Sequence, residues 1–134
     1  MSLESKTVID SSVWIDYLQD RSQGKPSSSL HSRLASILDS DYAAITDVIR
    51  TEILVGAASS AEFDKLDDLF SSVECLSLLK EDQRSFNNFC HMIKRKGLLG
   101  KYTDMSIAFL AKKHGYEVLS ADKYFATLRS KKII

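Results

Sequence analysis

The sequence predicts an α/β domain in which a central, mainly parallel sheet of four to five strands lies between two layers of helices. Short apolar runs alternate along the chain with stretches of helical periodicity, a pattern typical of open parallel sheets covered on both faces. The chain has 134 residues, 44% of them hydrophobic, which supports one domain with a substantial core. Because no repeat or linker divides the chain, we expect residues 1–134 to form a single domain, with residues 1–5 disordered.

Charge and cysteine content narrow the possible functions. The 18 basic and 18 acidic residues cancel, which excludes a strongly cationic coat for nucleic acid but permits a local basic patch. Cys75 and Cys90 are too few for a disulfide framework, and their apolar neighbours predict buried free thiols. No apolar run approaches the roughly 18 residues that span a bilayer. We therefore expect a cytoplasmic protein.

The first half of the chain is predicted to contain two strands and four helices. Thr7–Ile9 is a β-branched apolar run typical of a strand buried on both faces, and Ser11 and Ser12 can cap the helix after it. The polar stretch Asp20–Ser29 holds the only proline and is predicted to be a loop. The other elements are a helix at 30–38, a strand at 42–45 and helices at 47–57 and 61–70, the last with Phe63, Leu66 and Phe70 inward.

The second half is predicted to contain further strands at 73–79 and 117–119. A helix over Glu81–Lys96 is opened by acidic residues and closed by basic ones, and Gly97 ends it. Asp104 opens another helix, which Gly115 ends. A turn and short helix are expected at 122–128, and the apolar end of the segment 131–134 predicts an edge strand.

Acidic residues occupy the positions where ligands bind to such sheets. Asp10 directly follows the first strand, Asp122 lies three residues beyond the fourth, and Asp104 lies in the first turn of a helix. Right-handed crossovers bring the carboxyl ends of parallel strands to one edge, and ligands of α/β folds bind there. We therefore expect these three carboxylates to converge.

Glu52 is a fourth acid, carried by a helix. It lies three residues beyond Ile49 and four beyond Val48, which places it within the apolar stripe of its predicted helix. Burial of an isolated carboxylate costs several kcal/mol, so this position calls for a cation or a proton. Each acid also has a simpler interpretation, as a helix cap, a turn residue or the partner of a basic side chain such as Arg50.

Convergence of the four acids predicts a metal site. Carboxylates that meet without basic partners repel one another unless a divalent cation lies between them. Oxygen ligands of this kind select Mg²⁺, with Mn²⁺ as a substitute, over zinc. Such a site is suited to phosphodiester hydrolysis. The hydroxyls of Ser11, Ser12 and Ser120 are candidates to hold these carboxylates in place, and are equally candidates for local caps.

Four short segments carry the acids in a recurring pattern. They are VIDSSVWI around Asp10, IRTEI around Glu52, TDMSIA around Asp104 and LSADKYF around Asp122. In this order and spacing they resemble the motifs of PIN-domain ribonucleases, and more closely those of the VapC-type toxins of toxin–antitoxin pairs. The resemblance runs from residue 7 to residue 125, and one position departs from it. Many relatives carry a further acid where this chain has Tyr102, which leaves the number of bound metal ions open.

The resemblance implies a fold, an activity and partners. The fold is a three-layer α/β/α PIN-like domain, and the activity is that of a homodimeric, Mg²⁺-dependent endoribonuclease that cleaves structured RNA and is silenced by a cognate antitoxin. An RNA substrate requires local positive charge. The candidates are the basic residues that bracket the loop before the third acid, namely Lys94, Arg95, Lys96 and Lys101, although a helix end also favours basic residues through its dipole.

Two other classes of function remain open. A phosphotransfer or phosphohydrolase domain would use Asp10 as its nucleophile, and a trapped phospho-aspartate would identify it. Enzymes of the haloacid dehalogenase kind carry a second Asp two residues later, where this chain has Ser12. The other class is a binding module that has kept the scaffold without catalysis, which a magnesium titration would test.

Overall fold

A four-stranded parallel sheet forms the centre of the molecule. The computed structural model describes residues 5–23 and 29–134, with side chains for residues 5–19 and 29–134. The strands are β1 (Thr7–Ile9), β2 (Ala43–Thr46), β3 (Glu74–Leu76) and β4 (Glu117–Leu119), in the spatial order β3-β2-β1-β4. All three strand pairs are parallel. The predicted α/β class and three-layer arrangement are thereby confirmed.

Seven α-helices lie within the described ranges. They are α1 (Ser11–Gln23), α2 (Ser29–Asp39), α3 (Asp47–Val55), α4 (Ser60–Ser71), α5 (Gln83–Arg95), α6 (Tyr102–His114) and α7 (Lys123–Ser130). A single 3₁₀ turn at Lys80–Asp82 leads into α5. None of the described helices is long and apolar enough to cross a membrane.

The helices form two layers because the strand order reverses once. From β1 to β2 to β3 the chain moves in one direction, and from β3 to β4 it returns to the other side of β1. With right-handed crossovers, the first two connections lie on one face and the third on the other. Ring contacts agree with this arrangement. Trp14 of α1 packs edge-on against Phe70 of α4, with centroids 5.2 Å apart, and Phe89 of α5 packs against Phe109 of α6 at 5.6 Å.

The reversal between β1 and β4 is the topological switch point of the sheet. Val8 is paired with Val118, and the Asp10 N–H donates to the Leu119 carbonyl at 3.0 Å, so the two strands remain in register to their carboxyl ends. Val8 is fully buried, as expected for a strand covered on both faces. The residues that follow β1 and β4 therefore lie side by side, in the crevice where such sheets bind ligands.

A polar cluster ties three strands together at the opposite, amino edge. The Glu74 carboxylate accepts a hydrogen bond from the Tyr116 hydroxyl at 2.8 Å and forms an ion pair with the Lys6 ammonium at 3.0 Å. Burial opposes ionisation of Glu74, but the hydrogen bonds from Lys6 and Tyr116 more than offset it, so the pKa of Glu74 lies below its usual value. The cluster joins β3 to the residues that precede β1 and β4.

Three predictions about the elements were wrong. The predicted strand 73–79 is shorter, since β3 spans Glu74–Leu76. Helix α1 continues to Gln23, so the predicted loop Asp20–Ser29 begins later, and residues 24–28 lie outside the described residues. The tail after α7 is not an edge strand. The Ile133 N–H donates to the Leu128 carbonyl at 2.9 Å, and the Lys112 ammonium donates to the Ile133 carbonyl at 3.0 Å. The tail is apolar because Ile133 is buried against the helices, not because it pairs with the sheet.

Two apolar residues predicted to be buried are exposed. Phe63 is 42% exposed because it lies in the first turns of α4, ahead of the part of that helix which buries Leu66 and Phe70. Cys75 is exposed because β3 is an edge strand, while Cys90 is half-buried. Residues 1–5 were predicted to be disordered. Residues 1–4 lie outside the described residues, which begin at Ser5.

Candidate active site at the switch point of the sheet

Asp10 lies within a hydrogen-bond network at the carboxyl end of β1. The residue is buried, and both carboxylate oxygens accept hydrogen bonds. The Ser11 N–H donates to Oδ1 at 2.8 Å, and the hydroxyls of Ser12 and Ser120 donate to Oδ2 at 3.1 and 2.7 Å. Charge-assisted hydrogen bonds of this kind are short and strong. The network therefore fixes the direction in which Asp10 presents its charge; Ser11 contributes through its backbone.

Ser120 connects Asp10 to Asp122. Its hydroxyl donates to Asp10 and accepts from the Asp122 N–H at 2.9 Å. Asp122 is exposed and is also the N-cap of α7, because its Oδ1 accepts from the Tyr124 N–H at 2.9 Å. The two interpretations of Asp122, as an acid of the candidate site and as a helix cap, are thus compatible. One oxygen of Asp122 holds the helix, and the carboxylate remains at the edge that Asp10 occupies.

Asp104 brings the four acids into one electrostatic environment. It lies in the first turn of α6 and is half-buried. Burial raises the pKa of Asp104, the charges of Asp10 and Asp122 raise it further, Lys101 opposes them, and Glu52 adds a smaller increase. Effects of one charge on another's pKa require proximity. Carboxylates from three other stretches of chain therefore act on Asp104 at this edge.

Glu52 is exposed, which corrects the expectation that it would be buried. On α3 the buried residues are Ile49 and Ile53, whereas Val48 is 37% and Val55 is 78% exposed. The buried stripe is thus narrower than the apolar pattern of the sequence, and Glu52 lies on its exposed border. Glu52 is therefore not a desolvated charge. Its connection with the site is the effect of its charge on Asp104, whose pKa it raises.

Tyr124 is a residue of this region that sequence reasoning missed. Its hydroxyl donates to the Leu98 carbonyl at 2.9 Å, and a Cβ on Gly100 would lie only 2.5 Å from its ring carbon Cζ. Burial raises the pKa of Tyr124, and the nearby charge of Asp104 contributes. Tyr124 therefore holds the loop that leads to α6 against α7. Gly100, four residues before Asp104, is the sequence feature that could have indicated a close contact, but the sequence does not show that Tyr124 is the contacting residue.

The four predicted RNA-binding residues lie at the end of α5 and in the following loop. Lys94, Arg95, Lys96 and Lys101 are all exposed, and within the described part of the chain none of them forms an ion pair. Of the four, Lys101 is the one whose charge acts on Asp104. The other three lie at the C-terminal end of α5, and the role of all four in binding stays a prediction.

The donor set suits a hard divalent cation that keeps part of its hydration shell. Among residues 5–19 and 29–134, no three His, Cys, Asp or Glu side chains are grouped so that they could hold a metal ion together. Mg²⁺ is commonly held by one or two carboxylates, with water and substrate phosphate completing its octahedron. The mutual repulsion at Asp104 and the fixed carboxylate of Asp10 fit such a partial ligand set. The assignment of individual ligands stays a prediction.

Comparisons with known proteins agree with this fold. The PIN domain family model matches residues 7–131. Among solved structures, the crystal structure of FitAcB from Neisseria gonorrhoeae is similar with a TM-score of 0.72 and 16% sequence identity, over 92% of this chain and 93% of that one. At this identity the likeness shows the fold alone. Comparison with curated proteins gave no match. Because the family model covers nearly all of the sequence, the chain belongs to the PIN domain family.

Proposed function

We propose that this chain is a metal-dependent endoribonuclease and the toxin of a toxin–antitoxin pair. Its metal ion in this proposal is Mg²⁺, for which Mn²⁺ can substitute. PIN domains are generally nucleases and typically use divalent metal ions. The observation that carries the proposal is the hydrogen-bonded network that joins Asp10 to Asp122 through Ser120. The charges of Asp10, Asp122 and Glu52 also oppose ionisation of Asp104 and raise its pKa. A divalent cation relieves this repulsion, and a phosphodiester brings the oxygens that complete its coordination.

In this proposal the four acids, Asp10, Glu52, Asp104 and Asp122, form the metal site and the catalytic centre, and only one or two of them bind the cation directly. When bound, the cation supplies Lewis-acid activation of water and neutralises charge at the phosphate. Ser12 and Ser120 keep Asp10 in its orientation, and Ser11 contributes its backbone N–H. Positioning groups of this kind commonly affect metal affinity or activity by about 10- to 100-fold.

The distribution of charge supports a nucleic-acid substrate, which we propose is RNA, despite the zero net charge. Residues 83–101 contain five basic residues and no acidic one. Lys94, Arg95, Lys96 and Lys101 belong to this segment, and Lys101 lies close enough to Asp104 to lower its pKa. Phosphates close to these side chains would be attracted without any basic coat on the rest of the surface.

The proposed partners follow from the motif resemblance to VapC-type toxins. They are a cognate antitoxin protein and a second copy of the chain. Expression of the wild-type chain should arrest the growth of the host cells, and expression of an Asp104→Asn variant should not. Light scattering should give twice the chain mass of 15.0 kDa. A monomer at micromolar concentration would remove the homodimer from the proposal, and growth arrest by the variant would remove the toxin mechanism.

The decisive experiment incubates the protein with total RNA in the presence of Mg²⁺ or of EDTA and maps the ends of the products. Cleavage is expected with Mg²⁺ alone. Asp104→Asn should abolish it, whereas Asp64→Asn, which removes the same charge from an exposed position on α4, should not. Cleavage in EDTA, or equal cleavage by Asp104→Asn and the wild type, would overturn the proposal.

A further inference from the structure

A groove of about 530 Å³ runs along the free edge of β4 and begins at the candidate site. Ser120 and Asp122 line its near end, and Glu117 lines its far end, at the start of the strand. Arg33 of α2 and Arg129 of α7 also line it. The groove therefore lies beside the sheet, between elements that come from different parts of the chain. None of the functional roles assigned above uses either arginine.

The backbone of β4 fixes the position of one of these arginines. The backbone groups of Glu117 and Leu119 point toward β1. The Glu117 N–H donates to the Lys6 carbonyl at 3.1 Å, and the Leu119 carbonyl accepts from the Asp10 N–H at 3.0 Å. Because backbone direction alternates along a strand, Val118 between them faces the groove. Arg129 Nη2 donates to the Val118 carbonyl at 3.3 Å. Its guanidinium is thus held against the middle of the strand edge, with donors left over for a ligand.

The charges along the groove are ordered. The two acids, Glu117 and Asp122, lie at opposite ends of the lining strand segment, and the guanidinium of Arg129 lies between them. Val118 and Ser120 are two strand residues apart, roughly 7 Å, so Arg129 is close to the candidate site but not in it. Arg33 is exposed on α2 and adds a second guanidinium. Guanidinium groups match phosphate oxygens in geometry as well as charge.

We propose that this groove binds a nucleotide of the RNA next to the scissile phosphate, with the phosphate of that nucleotide held by Arg33 and Arg129. The inference rests on the proposed ribonuclease function. An RNA chain that crosses the site must leave it in two directions. Lys101 lies beside Asp104 and serves one of them; the groove beginning at Ser120 and Asp122 serves the other.

An extended peptide added to the edge of β4 is the competing occupant. Such peptides gain affinity from a series of main-chain hydrogen bonds. Strand β4 has three residues, of which Val118 alone faces outward, and its carbonyl is already bonded to Arg129. The edge thus offers few main-chain bonds, while two guanidiniums remain to attract an anionic chain. The observations favour RNA.

The test measures binding of a fluorescent single-stranded RNA in EDTA, where metal-dependent cleavage does not occur, by anisotropy at several salt concentrations. Arg33→Gln is compared with Lys65→Gln, which removes the same charge from an exposed position on α4. Arg33→Gln should weaken binding about tenfold, the usual effect of losing a hydrogen bond to a charged group. It should also lower the salt slope by about 0.7, the value for one phosphate contact on a single strand. Lys65→Gln should leave both unchanged.

A second arm uses substrates shortened one nucleotide at a time from either end. Wild type and Arg33→Gln should differ on the full substrate and become equal once the nucleotide in the groove is missing. Equal RNA binding by Arg33→Gln and the wild type would overturn the groove proposal and leave the nuclease proposal intact. Dependence of binding on Arg33 without Mg²⁺-dependent cleavage would support the groove and overturn the nuclease. Competition of an unrelated extended peptide with RNA, unaffected by Arg33→Gln, would favour the peptide and overturn the groove proposal.

Discussion

Removal of the Ser120 hydroxyl should weaken both the fold and the candidate site. In Ser120→Ala, Asp10 Oδ2 loses its shortest hydrogen bond, 2.7 Å long, and keeps the 3.1 Å bond from Ser12. A hydrogen bond to a charged group contributes about 1.5–3 kcal/mol. The Asp122 N–H also loses its acceptor, but this residue is exposed and water can replace the hydroxyl. We expect the metal-free protein to lose about 2 kcal/mol of unfolding free energy.

The melting temperature gives the most direct measurement of this loss. With about 2.1 cal/mol/K of unfolding entropy per residue, a chain of this length should melt about 7 °C lower for a loss of about 2 kcal/mol. Melts are recorded in EDTA so that metal binding does not contribute. Ser130→Ala is the matched control, because its hydroxyl donates to a backbone carbonyl at an exposed helix end. RNA cleavage by Ser120→Ala should fall about 10- to 100-fold. Equal melting temperatures for the two variants would refute the role assigned to Ser120.

Three further changes test other parts of the structure. Asp104→Asn should raise the melting temperature in EDTA, because burial and neighbouring carboxylates oppose ionisation of Asp104; the wild type, but not the variant, should lose stability as pH rises from 3.8 through the raised pKa. Gly100→Ala should cost about 1–3 kcal/mol in urea unfolding, since its Cβ would meet the Tyr124 ring, and a double-mutant cycle with Tyr124→Ala should show strong coupling. Glu74→Gln should be less stable than the wild type at neutral pH. That difference should vanish as acid takes the pH below 4.5 and through the lowered pKa of Glu74, as measured by urea unfolding at each pH; a constant difference would contradict the role of the Lys6 pair.

Elements with a strong local pattern could be predicted from the sequence. The bounds of β1 and β4 agree with prediction because each is a short apolar run with polar residues or glycine close to its ends. The placement of Asp10 and Asp122 at one edge followed from parallel topology alone. Local pattern and general topology thus located the candidate site, and the PIN family match agrees with that fold.

Features that depend on packing between distant segments could not be predicted. The apolar stripe of α3 placed Glu52 inside, but exposure is decided by which neighbours cover the helix, and Val48 and Val55 are left uncovered. The contact of Gly100 with Tyr124 joins a residue of the loop before α6 to a residue of α7, and the two segments share no periodicity. Ile133 is buried and is hydrogen-bonded to Leu128. An apolar run of this kind occurs both in a buried tail and in a strand, so the sequence pattern alone could not distinguish them.

The pairing of the first strand with the last has a consequence for synthesis. Ser120 and Asp10 are 110 positions apart in the chain, yet one hydrogen bond joins them. During translation the early acid is made long before its partners, and it stays incomplete until the final strand has emerged and docked. Under the proposed ribonuclease function, we expect the nascent chain to lack activity until β4 has docked beside β1. We expect chains that terminate before β4 to be inactive, because they lack both Ser120 and Asp122.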